Sequence, residues 1–423
     1  MVYIQNALGQ PLMPTKDHRK VRLLLSEGKA VVVKRSPFTI RLKVRTKQYI
    51  QPVTLGVDAG SKHVGVSACT EKKELFCAEM RPRNDVVKNL SSRREFRRAR
   101  RNRKTRYRTP RFENRVHSKH KGWLAPSVEV KIHNHIQVIK MVTKILPISK
   151  IVVETAEFDL QRLKAMEEGK PLPVGTDYQK GEMYDEYNVR QYVLHRDGYT
   201  CQCCGAHPTE KKPVKLHVHH KESRKVGGNA PNNLITLCDK CHDTLHAGLI
   251  ELPEGKHKRG KSFRDATFMG IMRNTLLGRL GNEFHVPVKN TWGYVTKYTR
   301  EKYGIQKSHT SDARCIAGAP LVTPAGSVHL IIPVRRHNRQ IHKAKILKGG
   351  NRKKNQAPKY VFGFRLFDMV QLPTKEIGFV FGRRSSGSFD VRHLTGEKIS
   401  AGISHTKLTF VEHSNNLLVE KVS

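Results

Sequence analysis

The sequence predicts a multidomain α/β protein with a small cysteine-stapled insertion and an all-β C-terminal end. Three observations carry that prediction. Apolar strand patterns alternate with helical ones over residues 53–155 and again over 264–320. Two Cys-x-x-Cys pairs, Cys201/Cys204 and Cys238/Cys241, interrupt the alternation. From about residue 325 the apolar period falls to two, the pattern of a small SH3-like barrel.

At 423 residues the chain is long enough for several domains and a real core. Its net charge of +43 would self-repel in a free globule and calls for a polyanion. Nucleic acid is the expected partner. A membrane surface is the rival, but no apolar run reaches a spanning length and no amphipathic anchor stands out. The start, "MVYIQNALGQPLMP", lacks a basic region followed by an apolar core, so no secretion signal is expected. Five of the eight cysteines fall in one cluster, which points to a reducing compartment and a metal rather than disulfides.

In chain order, residues 1–50 read as a small basic module: a helix over "VRLLLSEG", a stop at Gly28, and strands "AVVV" and "PFTIRLKV". Residues 53–80 give two or three strands, the first ending in Asp58. Residues 88–121 are mostly arginine and lysine. Nothing before Tyr107 breaks a helix, Pro110 ends it, and Arg94, Arg97, Arg98 and Arg101 share a face. Without a polyanion, repulsion along such a helix would disfavour it. An amphipathic helix over 127–146 stops at Pro147, and the strand "KIVVE" ends in Glu154. A polar linker leads into the cysteine module. Beyond it come a helix over 264–281, a strand and helix in "VPVKNTWGYVTKYTREKYG", and a helical turn with His309 and Asp312. The barrel strands are read as "SVHLIIPV", "KYVFGFRLFDMVQL", "EIGFVFGRR", "SFDVRHL" and "LTFVEH", with a basic stretch after the first.

The four thiolates of Cys201, Cys204, Cys238 and Cys241 suit structural Zn²⁺, and a small module needs such a staple in place of a core. Cys203 could replace Cys201 or Cys204, though the two-residue spacing favours the pairs named. Four thiolates leave zinc no open position for chemistry, so His219, His220 and His242 need another role. A zinc ribbon that binds DNA without cutting would need only the cysteines. The His219-His220 doublet, Gly227-Gly228, Asn233-Leu234 and Cys241-His242 together argue for more. Asp58, Glu154 and Asp312 each end or follow an apolar element. Two-metal phosphodiester hydrolysis needs convergent carboxylates of that kind. Glu157 and Asp159 are nearby rivals, ranked lower because Glu154 directly ends its strand.

The stretch "LHVHHKESRKVGGNAPNNLITLCDKCHDTLH" resembles the HNH nuclease motif, or ββα-metal finger. That resemblance implies His220 as the base activating water and Asn233 as the group orienting it. His219 and His242 would hold one Mg²⁺ (or Mn²⁺), with His246 either assisting or simply exposed. Many members have Asp where His219 stands. "GVDAGSKHVGV", "IVVE" and "SHTSDA" resemble the three RuvC motifs of RNase H-like nucleases. They imply Asp58, Glu154 and Asp312 as ligands of a Mg²⁺ (or Mn²⁺) pair, with His309 in proton transfer. The arginine helix resembles the bridge helix of RNA-guided nucleases, which implies that Arg93, Arg94, Arg97, Arg98, Arg101 and Arg103 face guide RNA. Pro11-Leu12-Met13-Pro14 is the PLMP signature of the IscB family, transposon-encoded relatives of the type II CRISPR nuclease.

The order of these motifs resembles IscB over essentially the whole chain. It implies an RNase H-like RuvC core split in three segments, an inserted HNH module with a zinc staple, an arginine-rich bridge helix and a C-terminal small β-barrel-like domain. The expected boundaries are 1–50 for the PLMP module, 51–87, 122–165 and 264–324 for the RuvC segments, and 88–121 for the bridge helix. The HNH module takes 186–250 between linkers 166–185 and 251–263, and the basic β-domain takes 325–423. The expected partners are a guide-carrying noncoding RNA, the omega RNA, and double-stranded target DNA. The expected form is a monomer within a ribonucleoprotein, in the cytoplasm of a prokaryote at the nucleoid. The competing class is a protein-guided homing-type HNH nickase or a DNA-binding transposon accessory protein, which has no use for the three carboxylates.

Overall fold

The computed structural model describes residues 1–101, 120, 122–155, 165–166, 169–173, 177, 188–209, 213–223, 226–253, 256, 264–335 and 358–422. Two compact units divide the chain. One comprises Met1–Asp159 and Met269–Ser423, the other Leu160–Phe268.

The first unit begins with strand β1 (Tyr3–Gln5), helix α1 (His18–Ser26) and strands β2 (Ala30–Lys34) and β3 (Thr39–Leu42), in sheet order β1-β3-β2. Asp17 caps α1 by accepting from the Lys20 amide at 2.9 Å. Gly28, at φ +66°, turns the chain out of the helix. Leu12 of the Pro-Leu-Met-Pro tetrapeptide is buried with Val2, Val21, Ala30, Ile40 and Leu42. The tetrapeptide therefore anchors the small core.

The central sheet opens with an antiparallel meander: β4 (Val53–Asp58), β5 (Val64–Cys69) and β6 (Glu74–Met80). Helix α2 (Val86–Arg101) carries the arginines. Helix α3 (Pro126–Thr143) then buries Ile132, Ile136, Ile139 and Val142, the stripe that its period predicts. Strand β7 (Ile148–Thr155) joins β4 in parallel and sets Glu154 opposite Asp58.

In the second unit, helix α4 (Val189–Arg196) packs on the hairpin of β8 (Leu216–His220) and β9 (Leu234–Cys238). Helix α5 (Asp239–His246) follows directly. The shared core is small: Leu194, Cys201, Leu216, Ile235, Leu237 and Cys238.

Next comes α6 (Arg264–Glu283), whose first residues belong to the second unit and whose remainder belongs to the first; β10 (Val288–Trp292), α7 (Gly293–Lys302), α8 (His309–Ile316) and β11 (Val328–Pro333) follow in the first unit. The remaining elements are β12 (Met369–Gln371), β13 (Ile377–Arg383), β14 (Ser388–Arg392), β15 (Lys398–Ser404), β16 (Thr409–Glu412) and β17 (Leu417–Val422). The central sheet runs β10-β7-β4-β5-β6-β11-β17.

That order corrects the reading of the C-terminal end. "SVHLIIPV", taken as the first barrel strand, pairs instead with β6 and β17 in the central sheet. Of "KYVFGFRLFDMVQL" only β12 is strand. The separate C-terminal sheet is antiparallel, in order β15-β14-β13-β12-β16, and its outer strands do not pair with each other among the described residues. A period of two cannot tell a barrel strand from one that adds to a neighbouring sheet. Arg103, Glu157 and Asp159 lie outside the described residues, as do the side chains of Arg98 and Arg101; Arg93 and Arg94 are exposed on α2.

Candidate active sites

In the second unit, the ligand atoms of Cys201, Cys204, Cys238 and Cys241 lie within 4.8 Å of one another. Cys204 Sγ and Cys238 Sγ are 3.7 Å apart. Thiolates at ~2.3 Å from a tetrahedral zinc would stand about 3.8 Å apart, so the quartet fits that ion. Burial pushes the Cys201 thiol up, but amides of Cys204, Cys238 and Cys203 outweigh it and bring the group down to about 7. A thiol so lowered is readily the thiolate that zinc takes. Cys203 stays outside the quartet.

Hairpin register places His219 opposite Ile235 and His220 opposite Leu234. His219, His242 and His246 then form a second set with ligand atoms within 4.8 Å of one another. The sequence alone left His246 undecided. Its place one helical turn after His242 puts both rings against His219, at 5.0 and 5.5 Å between centroids. Burial, then the neighbouring His246 and His242, lowers the His219 imidazole to about 4. It is neutral near pH 7, the form that binds a cation.

Two further residues escaped the sequence reading. His217 stacks on His242 at 4.8 Å, and its Nε2 meets Asp239 Oδ1 at 2.6 Å. The pair braces His242 from behind.

The Asn233 side chain does not meet the His220 ring. It is fully buried and spent on backbone: Oδ1 accepts from the Glu222 amide at 2.9 Å, and Nδ2 donates to Glu222 O and Gly228 O at 3.0 Å. Gly227 leaves the space this carboxamide fills, since a Cβ there would overlap it. The group that reaches His220 is Asn229, with Oδ1 2.9 Å from Nε2. The resemblance points to the buried asparagine of this loop, whereas the exposed one meets the histidine.

The first unit gathers the dispersed carboxylates. Asp58 and Glu154 are register partners on neighbouring parallel strands. Helix α8 brings His309, whose Nδ1 donates to Asp58 Oδ2 at 2.7 Å. Asp312, one turn on, pairs with Arg300 Nε at 3.0 Å, an ion pair whose angle is too poor for a hydrogen bond. Two glycines allow α8 so close: a Cβ on Gly56 would overlap Ala313 O, and one on Gly65 would overlap His309 O. Gly293, at the start of α7, brings backbone against Glu154, and Thr296 donates its hydroxyl to Glu154 Oε2.

Burial raises the Glu154 carboxyl, and the charges of Asp58 and Asp312 raise it further against the Thr296 hydroxyl. Asp312 is raised by burial and by Asp58. Hydrogen bonding to Asp58 raises His309. Glu154 and Asp312 both resist ionisation beside Asp58, and the three carboxylates form a donor set suited to divalent cations. They are not among the sets whose ligand atoms all fall within 4.8 Å, a looser spread that two ions about 4 Å apart would accept. The site also holds His63, stacked on His309 at 5.1 Å and 4° and joined through Nδ1 to Glu79 Oε1 at 2.8 Å. His63 stands in the loop that follows Asp58, a signal the sequence reading passed over.

Residues 201–248 match the family described as HNH endonuclease. Match and geometry together support a metal-dependent nuclease of the HNH class. Residues 2–181 match the family described as RRXRR protein, and Arg97-Arg98-Ala99-Arg100-Arg101 spells that pattern. No curated protein matches the chain.

Among solved structures, Streptococcus thermophilus Cas9 in complex with AGGA PAM is similar at 14% identity and a TM-score of 0.30, over 46% of this chain and 26% of that one. The same enzyme with the AGAA PAM gives 14% and 0.33, over 63% and 32%. The type II-C Cas9 enzyme from Actinomyces naeslundii gives 15% and 0.15, over 48% and 30%. The chain thus spans about a third or less of the length of these proteins. No helix among the described residues is long and apolar enough to cross a membrane.

Proposed function

We propose that the chain is an RNA-guided DNA endonuclease of the IscB type whose two nuclease centres cut opposite strands. The observation that carries this reading is the convergence of Asp58, Glu154, His309 and Asp312 in a chain that also holds the HNH histidines. A homing-type nickase or a DNA-binding accessory protein would have no use for that carboxylate centre.

His219, His242 and His246 would hold one divalent ion, and Asp58, Glu154 and Asp312 a pair of Mg²⁺ or Mn²⁺. Bound there, such ions polarise a scissile phosphate and stabilise the leaving oxygen. His220 is the general base of the HNH centre. With Asn229 Oδ1 as acceptor, Nε2 carries the proton and Nδ1 keeps the lone pair that takes one from water. In the carboxylate centre, His309 donates through Nδ1 to Asp58 and leaves Nε2 for proton transfer. The cysteine quartet would hold zinc, which would tie the small hairpin together.

The arginines of α2, with the N-terminal module (1–50) and the basic stretch 336–357, would bind the omega RNA through phosphate contacts. Base pairing would then choose the target, and the C-terminal domain would read a short adjacent motif in the duplex groove. The central segments 51–87, 122–165 and 264–324 are read as one split RuvC fold, and 186–250 as the HNH module. The setting is a monomeric ribonucleoprotein in a prokaryotic cytoplasm.

Strand-labelled target DNA tests the reading. In complex with RNA from its own locus, His220→Ala should lose cutting of the guide-paired strand alone. Asp58→Ala should lose cutting of the displaced strand alone. Equal loss of both strands in either variant would refute the division. Protein expressed with its locus should also copurify with one discrete RNA.

A further inference from the structure

The helix that holds Glu154 turns aromatic rings outward. Tyr294 is 56% exposed, Tyr298 67% and Tyr303 39%. Rings of this size normally bury most of their surface, and three left bare on one short stretch mark a contact surface. Tyr294 and Tyr298 lie one helical turn apart and share a face of α7. Trp292, the residue that caps α7, sets its ring nearly parallel to Tyr294, at 11° with centroids 6.3 Å apart.

Cations are interleaved with the rings. Lys289 is exposed on β10, the edge strand of the sheet, and Lys297 and Lys302 are exposed on α7. Lys302 Nζ lies 5.5 Å from the Tyr303 ring centroid. Glu301, the single acid between residues 288 and 303, is 3.8 Å from Lys297. A groove of about 490 Å³ runs beside this face, lined by Lys150, Lys289, Thr296, Tyr298 and Lys302. Thr296 ties groove to centre, because the same side chain donates to Glu154.

Phosphates need cations, and bases need flat apolar faces. A duplex hides its base faces in the stack, so bare rings beside lysines fit a strand whose bases are unstacked. We infer that Trp292, Tyr294 and Tyr298 form a stacking platform for one DNA strand and guide its backbone past Glu154. The inference rests on reading Asp58, Glu154 and Asp312 as a nuclease centre, and it names the form in which that centre receives DNA.

The test uses the full chain without divalent cations and a mixed-sequence deoxyoligonucleotide carrying 2-aminopurine. High salt suppresses binding by charge alone. The native chain should quench the 2-aminopurine. Tyr294→Ala/Tyr298→Ala should abolish quenching and weaken binding about tenfold, while Tyr294→Phe/Tyr298→Phe retains both. The platform is overturned if the alanine pair binds and quenches like the native chain. It is equally overturned if the loss occurs only with RNA of the same sequence, or only with duplex. Asp58→Ala tests the nuclease reading by itself. Native cutting by that variant, with quenching still dependent on the tyrosines, would sink the centre and uphold the platform.

Discussion

Gly65 of β5 lies directly beneath the carbonyl of His309, so close that a single added methyl would occupy the oxygen's place. Because the obstacle is backbone, no rotamer change relieves it. Gly65→Ala must lift α8 off the sheet and carry His309 and Asp312 with it. The expected stability cost is about 1–3 kcal/mol, that of an overpacked core. Displaced-strand cutting should fall at least as far as in Asp58→Ala, with guide-paired-strand cutting near native. Strand-labelled cleavage and a melting curve check both.

The two asparagines of the HNH loop should separate by readout. Asn233 is fully buried and makes three bonds to backbone, so Asn233→Ala should destabilise the second unit by roughly 2–3 kcal/mol. Asn229 is exposed and touches His220, so Asn229→Ala should leave stability within about 0.5 kcal/mol. It should instead slow guide-paired-strand cutting about tenfold or more. A stability loss for Asn229→Ala equal to that for Asn233→Ala would contradict the geometry.

His63 acts on Asp58 only through His309, which makes it a positioning residue. What it supplies is a flat ring held by Glu79. His63→Ala should lower the kcat of displaced-strand cutting about tenfold with KM little changed. His63→Phe, which keeps the ring, should restore most of that loss. If the alanine and phenylalanine variants behave alike, stacking is not how His63 works.

Chelation should unfold the units unequally. The second unit has only small buried clusters around its thiolates and hairpin, whereas the first is built on a seven-stranded sheet. A strong zinc chelator should therefore make a single melting transition biphasic, with the early step mapping to residues 188–253 by hydrogen exchange. Cys238→Ser should reproduce that early step without chelator.

Acid should attack the first unit through a buried histidine. Burial lowers His135 to about 4 in the fold, against about 6.5 in the unfolded chain, and the ring carries no exposed surface. The fold favours the neutral form, so this contribution is complete above pH 6.5 and is lost as pH falls towards 4. The loss is worth roughly 3 kcal/mol. His135→Leu should flatten that limb of the stability–pH curve, measured by denaturant unfolding across the window.

How far the sequence reached depends on the kind of information each feature carries. Strands β4 to β7 and helix α3 are local, written in apolar period and stop residues, and they appear where expected. The thiolate quartet was legible because its spacing is itself chemistry. His63, His217 and Asn229 were hidden because their roles depend on rotamer and on neighbours far along the chain. The misassigned strand β11 shows the same limit, since alternation gives a face but not a partner sheet. Nothing in the local pattern marks what Gly56, Gly65 and Gly227 do. Their purpose, making room for another backbone or a carboxamide, exists only once the opposing element is in place.

Thr296 and Glu154 touch although 142 residues separate them, and β10 completes its pairing with β7 across the whole of the second unit. This long loop bears on when the protein becomes competent as well as on how it is shaped. During synthesis β7 must wait, one edge unpaired, while the cysteine module emerges. Asp312 and His309 arrive later still, and β17, which closes the far edge of the sheet, comes last. A partly made chain therefore carries Asp58 and Glu154 without the helix that finishes their site. The centre that Asp58, Glu154, His309 and Asp312 form is unfinished until the chain has been made at least as far as Asp312.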